Sequence, residues 1–245
     1  MAEQKSILVT GSSRGIGADA ARVLAARGHR VVVNYREKRR RAEGLVAEIE
    51  GMGGSAVAFG ADLTVDLEVA EMVSRILADS GGLDGLVLNA SGGLERGADA
   101  DYATRINVDA QLRVLDAVLP HLRRGSRVVF VTSHQAHFVD SHGVPGDYGP
   151  VARSKRLGEN AIRAREPELA AAGVGLSVVS GDMIEGTMIV RLLTRRDPDA
   201  VNSRRDVVPL PTVEEFAEAI ADEVVRTGVG ARTVFVGGSD YLVGA

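Results

Sequence analysis

Residues 10–17 read Thr10-Gly11-Ser12-Ser13-Arg14-Gly15-Ile16-Gly17, between a short apolar run at 6–10 (SILVT) and an amphipathic stretch at 16–27. Glycines placed here allow a tight turn, close approach of a pyrophosphate to the backbone, and close packing of the helix on the strand. The helix start adds unpaired N–H groups and partial positive charge, both suited to phosphate. A glycine-rich loop alone is a weak signal. In strand–loop–helix order at the start of a βαβ unit it points to a dinucleotide. The spacing of Gly11, Gly15 and Gly17 is G-x-x-x-G-x-G rather than the standard G-x-G-x-x-G.

Outward from this loop, valine-rich runs alternate with longer amphipathic stretches. Residues 6–10, 30–34, 83–89, 127–132, 175–180 and 233–236 read as strands, with Ser55–Gly60 a weaker one. Runs apolar on both faces suit the centre of a parallel sheet. Helical patterns cover 16–27, 41–52, 67–80, 102–122, 151–172 and 213–227. Regular strand–helix alternation predicts one α/β domain over 1–245, a doubly wound parallel Rossmann sheet of about seven strands with helices on both faces. The longest stretches without a pattern are 134–149 and 185–211, and long loops in a compact domain are commonly lids or binding loops.

The 245 residues are 45% hydrophobic and 25% charged, enough for one large core. A net charge of −4 argues against nucleic acid as a partner. With no cysteine, disulfides, thiolate metal sites and cysteine nucleophiles are excluded. The first residues are too polar for a signal peptide, and no run approaches the roughly 20 apolar residues of a membrane helix. The expectation is a cytoplasmic protein with no membrane partner and no metal.

An acidic residue commonly ends the second strand of NAD sites and binds the ribose hydroxyls. Here Tyr35 stands in that place, followed by Arg36. Arg36 and Arg14 suit a 2′-phosphate through charge-assisted bonds, so NADP(H) is favoured over NAD(H). Arg39, Arg40 and Arg41 read more simply as a solvated helix start.

The string TGSSRGIG resembles the TGxxxGIG loop of the short-chain dehydrogenase/reductase family, and similarity runs along nearly the whole chain. The resemblance implies cofactor contacts at Gly11, Ser13, Arg14, Gly15, Ile16, Gly17, Tyr35 and Arg36. It adds the adenine-side pair Asp62-Leu63, the segment Asn89-Ala90-Ser91, the ribose-binding Lys155, and Gly181, Ile184 and Thr187 after the sixth strand. Asn89 also reads as a residue pinning the central sheet. The family's catalytic groups fall on Asn107, Ser133 and Lys155. The usual tyrosine, four residues before the lysine, is Val151, which cannot transfer a proton.

The nearest phenol is Tyr148, seven residues before Lys155. At about 100° per residue, seven positions return to nearly the same helix face, and Pro150 suits a helix start. A Tyr-x6-Lys spacing is similar to the enoyl-acyl-carrier-protein reductase branch of the family, in which the tyrosine bonds a thioester carbonyl. A packed loop tyrosine is the bland alternative. His134, His137 and His142 are rival donors, although their irregular spacing reads better as solvated loop residues than as a metal site. The usual Pro-Gly is replaced by Gly181-Asp182. Residues 186–210 look like a substrate-covering segment; its Arg191, Arg195, Arg196, Arg204 and Arg205 either meet an acidic substrate or carrier, or are simply solvated.

Three readings follow: carbonyl reduction, enoyl-thioester reduction, and a dinucleotide-binding protein with impaired catalysis. The substrate is then a small molecule or an acyl thioester. The helices carrying Asn107 and Lys155 both show apolar stripes, which together with the resemblance implies a homodimer or homotetramer.

Overall fold

A computed structural model describes residues 4–94, 101–144, 148–238 and 240, with the side chain of Arg196 excepted. Seven parallel strands form one sheet in the order β3-β2-β1-β4-β5-β6-β7. They are β1 (Ser6–Val9), β2 (Arg30–Tyr35), β3 (Ser55–Gly60), β4 (Leu83–Leu88), β5 (Leu122–Ser133), β6 (Gly175–Gly181) and β7 (Ala231–Val236). The order reverses between β1 and β4, making the crevice at their C-terminal ends the place where α/β sheets bind ligands.

Alternation along each strand divides the core into two layers. Ile7 and Val9 face one side and Leu8 the other; Val87 and Leu86 divide in the same way, as do Val129 and Val128. The first layer is closed by α1 (Gly15–Ala26), α2 (Arg39–Gly51) and α11 (Val213–Val225), through fully buried Leu24, Ile49 and Phe216. The second is closed by α3 (Asp66–Ser80), α5 (Ala110–Val118), α7 (Gly149–Arg163) and α8 (Glu166–Ala172), through Met72, Leu115, Ile162 and Leu169. Each such side chain contributes about 1.5–3 kcal/mol by leaving water.

Two long helical patterns are interrupted. The stretch 102–122 divides into α4 (Tyr102–Thr104), a π-helical turn (Arg105–Asp109), α5, and a 3-10 turn (Leu119–His121). The stretch 151–172 breaks between α7 and α8, where Pro167 lacks an N–H and its ring crowds the carbonyl four residues back. Two expectations of irregular loops are corrected. Residues 134–137 form α6 (His134–His137), capped by the Ser133 hydroxyl. The stretch 185–211 carries α9 (Met188–Arg196) and α10 (Pro198–Val207), capped by Thr187 and Asp197. No described helix is long and apolar enough to cross a membrane.

Candidate functional site

The candidate residues fall at the C-terminal ends of adjacent strands. Across the sheet, Asp62 follows β3, Tyr35 ends β2 with Arg36 next, Gly11 follows β1, Asn89 follows β4, Ser133 ends β5 and Gly181 ends β6. At about 4.8 Å per strand, Arg36 and Ser133 stand three spacings, about 14 Å, apart along one edge.

The glycine loop is held from both sides. The Gly11 N–H donates to Asn34 Oδ1 at 3.0 Å, and the Ser12 N–H to the Asn34 carbonyl at 2.9 Å. Asn89 Nδ2 donates to the Thr10 carbonyl at 2.9 Å, while the Thr10 hydroxyl accepts from the Asn89 and Ala90 amides. Gly11 has φ +61°, and a Cβ there would lie 2.9 Å from Ala90 Cα; a Cβ on Gly17 would lie 2.5 Å from Asn89 Nδ2. The helix start therefore packs closely against the loop and the end of β4. Ser13 and Ile16 are half-buried, and Arg14 and Gly15 are exposed at the mouth. Asn34 was legible only as a strand residue; a polar side chain in a valine run was the available signal.

At the β2 end, the Tyr35 ring seats on Gly60, where a Cβ would come within 3.0 Å of it. Arg36 Nη1 donates to the Tyr102 hydroxyl at 2.6 Å, and Nη2 pairs with Glu37 at 3.1 Å. Asp62 accepts from the Thr64 amide and hydroxyl. Leu63 is 4% exposed and packed in the core. Ser91 is exposed.

Asn107 lies in the π turn, a helix irregularity frequent at functional sites. Its Nδ2 donates to the Gly92 carbonyl (3.0 Å) and to Ser154 Oγ (2.9 Å), and its Oδ1 accepts from the Gly92 amide (3.2 Å). The side chain thus ties the β4 loop to α7 one residue before Lys155. Gln111, which the sequence reading missed, supports the same junction: its Nε2 donates to the Ala90 and Ile106 carbonyls, both at 2.8 Å.

Ser133 Oγ accepts from the Ala136 amide at 3.3 Å, and its hydroxyl has no acceptor among the described residues. Lys155 is half-buried on α7 and has no hydrogen-bond or ion-pair partner among the described residues. Tyr148 is the N-cap of α7, two turns before Lys155 on one continuous helix. Its ring is 5% exposed and packs with Ala136, Val151 and Ala152, with Ile189 of α9 alongside. Val151 fills the space beside Gly93, where a Cβ would meet Val151 Cγ2 at 3.0 Å.

The description of the loop histidines as solvated is corrected for two of them. His134 is fully buried, with Nδ1 2.9 Å from Ser180 Oγ and its ring edge-on to Phe235 and Phe138. Burial pulls its pKa down to about 4, which removes it as a proton donor near neutrality. His137 Nδ1 lies 2.8 Å from buried Glu159, and His142 pairs with Ser141. No group of three metal-ligating residues occurs among the described residues.

The covering segment is corrected likewise: Arg204 is not solvated but paired with buried Asp182, and Arg205 pairs with Glu185 at 2.8 Å. Arg191 and Arg195 are exposed. Thr187 caps α9 and donates to the Ile184 carbonyl at 2.8 Å. The Ile184 amide has no acceptor among the described residues. Gly181 leaves room for Phe216, whose ring a Cβ would meet at 2.8 Å.

Comparison with known proteins shows the family. The family described as short chain dehydrogenase matches residues 5–196. A 3-oxoacyl-[acyl-carrier-protein] reductase of Staphylococcus epidermidis is 29% identical over 97% of this chain and 99% of its own. A hydroxynaphthalene reductase of Aspergillus fumigatus is 30% identical over 75% of this chain and 68% of its own length. The chain spans only 52% of a short chain dehydrogenase of Claviceps purpurea and 61% of a hydroxynaphthalene reductase-like protein of Metarhizium robertsii, each 36% identical over the matched part. Among solved structures, a short chain dehydrogenase from Burkholderia cenocepacia in complex with NADP superposes with TM-score 0.77 at 28% identity, covering 95% of this chain and 96% of that one.

Proposed function

Because the chain belongs to the short-chain dehydrogenase family, we propose that it is an NADP(H)-dependent oxidoreductase that reduces a ketone or 3-oxoacyl group to an alcohol. The observation that carries this reading is the single edge along which Asp62, Arg36, Gly11, Asn89, Ser133 and Gly181 lie at or just beyond the C-terminal ends of adjacent strands. The residues present fit the cofactor: Gly11 and Gly17 leave no space for a Cβ, and the α1 start faces the loop they form. Arg36, with Arg14 at the mouth, meets the 2′-phosphate; Tyr35 supplies none of the negative charge that would repel it. Asp62, Leu63, Asn89, Ala90 and Ser91 line the adenosine side. Lys155 holds the nicotinamide ribose, and the Ile184 amide and Thr187 hold the carboxamide end.

When bound, NADP(H) supplies the hydride. The protein has to hold the carbonyl, stabilise charge on its oxygen and deliver one proton. Ser133 donates its free proton to that oxygen. Tyr148 gives up the phenolic proton and recovers one from solvent, with the Lys155 ammonium lowering the cost of the phenolate. Asn107 keeps α7 in register with the β4 loop. The helices of residues 186–210 cover the substrate, since Ile189 shares a wall with Tyr148 and Val151. The Staphylococcus and Aspergillus relatives are named as reductases, the first of a 3-oxoacyl group, which favours the carbonyl. Leu157, 56% exposed on α7, offers an apolar contact for a second copy of the chain.

The unbroken helix from Tyr148 to Lys155 favours a second reading, reduction of an enoyl thioester. The test is NADPH oxidation with a panel of ketones and 3-oxoacyl thioesters against crotonyl-type thioesters. Turnover on the first group alone supports carbonyl reduction, and turnover on crotonyl thioesters alone replaces it with enoyl reduction. No turnover on either, with NADPH bound, contradicts both.

A further inference from the structure

Asp182 occupies the position after β6 where the family resemblance leads one to expect glycine, and its carboxylate is completely enclosed. Oδ1 accepts from the Met183 amide at 2.8 Å and from Arg204 Nε at 3.1 Å. Oδ2 accepts from Arg204 Nε at 2.9 Å and from the Gly238 amide at 3.1 Å, as well as from Arg204 Nη2. Arg204, 9% exposed, projects from α10 and also reaches Asp240, with Nη2 to Oδ1 at 2.7 Å. The surroundings are shaped to this pair. A Cβ on Gly237 would stand 2.5 Å from Asp182 Cβ, and one on Gly238 would stand 2.1 Å from Arg204 Nη2. The next residue of α10, Arg205, grips Glu185 with two bonds from Nη2, at 2.8 and 2.9 Å. Adjacent arginines of the covering segment therefore hold the residues on both sides of Met183-Ile184.

A buried ion pair is weak evidence of stability, because an apolar pair of the same volume is often as stable. What a planar guanidinium fork fixes is direction. Here the fixed object is the turn carrying the Ile184 amide. We propose that Arg204 is a positioning residue: its fork on Asp182 latches α10 to the β6 end and sets the Ile184 amide for the nicotinamide half of the cofactor. The proposal rests on the function proposed above. The latch couples cover and cofactor, so the segment over the substrate and the turn under the nicotinamide move as one unit.

The adenosine end of the site lies at β2 and β3, away from this turn, and that separation supplies the test. NADPH and adenosine 2′,5′-bisphosphate, which lacks the nicotinamide half, are titrated calorimetrically into the full chain and into two variants. One is Arg204→Lys, which keeps the charge and loses the fork. The other is Asp182→Asn with Arg204→Met, which removes both charges together. Both variants are expected to raise the NADPH Kd at least tenfold and to leave that of the bisphosphate within twofold. Equal losses for the two ligands, or no loss for NADPH, would overturn the latch and leave the proposed function standing. A parent chain that bound neither ligand would overturn the proposed function and the latch with it. Should the double variant not fold, Asp240→Asn removes only the outer, 47% exposed partner. It is expected to weaken NADPH about threefold and the bisphosphate not at all, and parallel losses would again overturn the latch.

Discussion

Asn107 and Ser154 meet at 2.9 Å across two helices, and Gly158, one turn beyond Ser154, is what permits the approach. A Cβ on Gly158 would lie 1.9 Å from the Asn107 carbonyl oxygen. The π turn and α7 are thus in backbone contact at the point where the candidate lysine is positioned. Gly158→Ala must push the helices apart, at a cost of at least the 1–3 kcal/mol of an overpacked core, about 2–4 °C of Tm for each kcal/mol in a chain of this size. Thermal melting is the measurement, and an unchanged Tm would contradict the close approach.

Tyr148 is the phenol nearest Lys155 along α7, and Val151 cannot stand in for it. A positioned proton donor contributes roughly 10²–10⁴-fold. Tyr148→Phe keeps the ring that packs against Ala136 and Ala152, so NADPH affinity should stay close to that of the parent while kcat falls at least about tenfold. Steady-state kinetics beside a binding titration separates the two effects. Unchanged kcat would remove Tyr148 from the mechanism.

Arg36 is oriented by the Tyr102 hydroxyl at 2.6 Å and stands at the β2 end. Arg36→Asp exchanges a phosphate partner for a repelling charge, and the loss should fall on NADPH far more than on NADH. The ratio of the NADPH Kd to the NADH Kd should rise by about two orders of magnitude, equivalent to roughly 3 kcal/mol. Equal losses for both nucleotides would overturn the preference for the phosphorylated cofactor.

His134 couples stability to pH. Burial holds its pKa at about 4 against an ordinary 6.5; Asp182 and Asp240 raise it, and Arg204 and His137 lower it, without reversing that effect. As pH falls below 6.5 the unfolded chain binds the proton first, so this contribution is intact above 6.5 and is lost progressively towards pH 4. Between pH 7 and pH 5 the loss is roughly 2 kcal/mol. Urea unfolding at the two pH values should show His134→Gln losing that much less stability on acidification than the parent; equal losses would refute the assignment.

Features that depend on local pattern were legible in the sequence. Valine runs marked the strands because burial on both faces leaves no polar alternation, and the glycine loop was legible because Gly11 needs positive φ and Gly17 needs a close neighbour. Features made by distant pairs were not. Asp182 and Arg204 are 22 positions apart, and neither residue type signals burial, so Arg204 read as solvated. The histidines read as loop residues because what buries them, Phe235 and Glu159, comes from β7 and α7. The helices α9 and α10 were hidden by the proline and charges of a segment that read as a lid. The π turn leaves no mark in the periodicity, although Gln111, which satisfies the Ile106 carbonyl, is its nearest sequence trace.

The central claim is that a phosphorylated pyridine dinucleotide lies across the C-terminal edge of the sheet, from Arg36 to Lys155. Isothermal titration of the full chain with NADPH and with NADH tests it most directly. One NADPH per chain, bound at least tenfold more tightly than NADH, is the predicted result; no uptake of either nucleotide would contradict it.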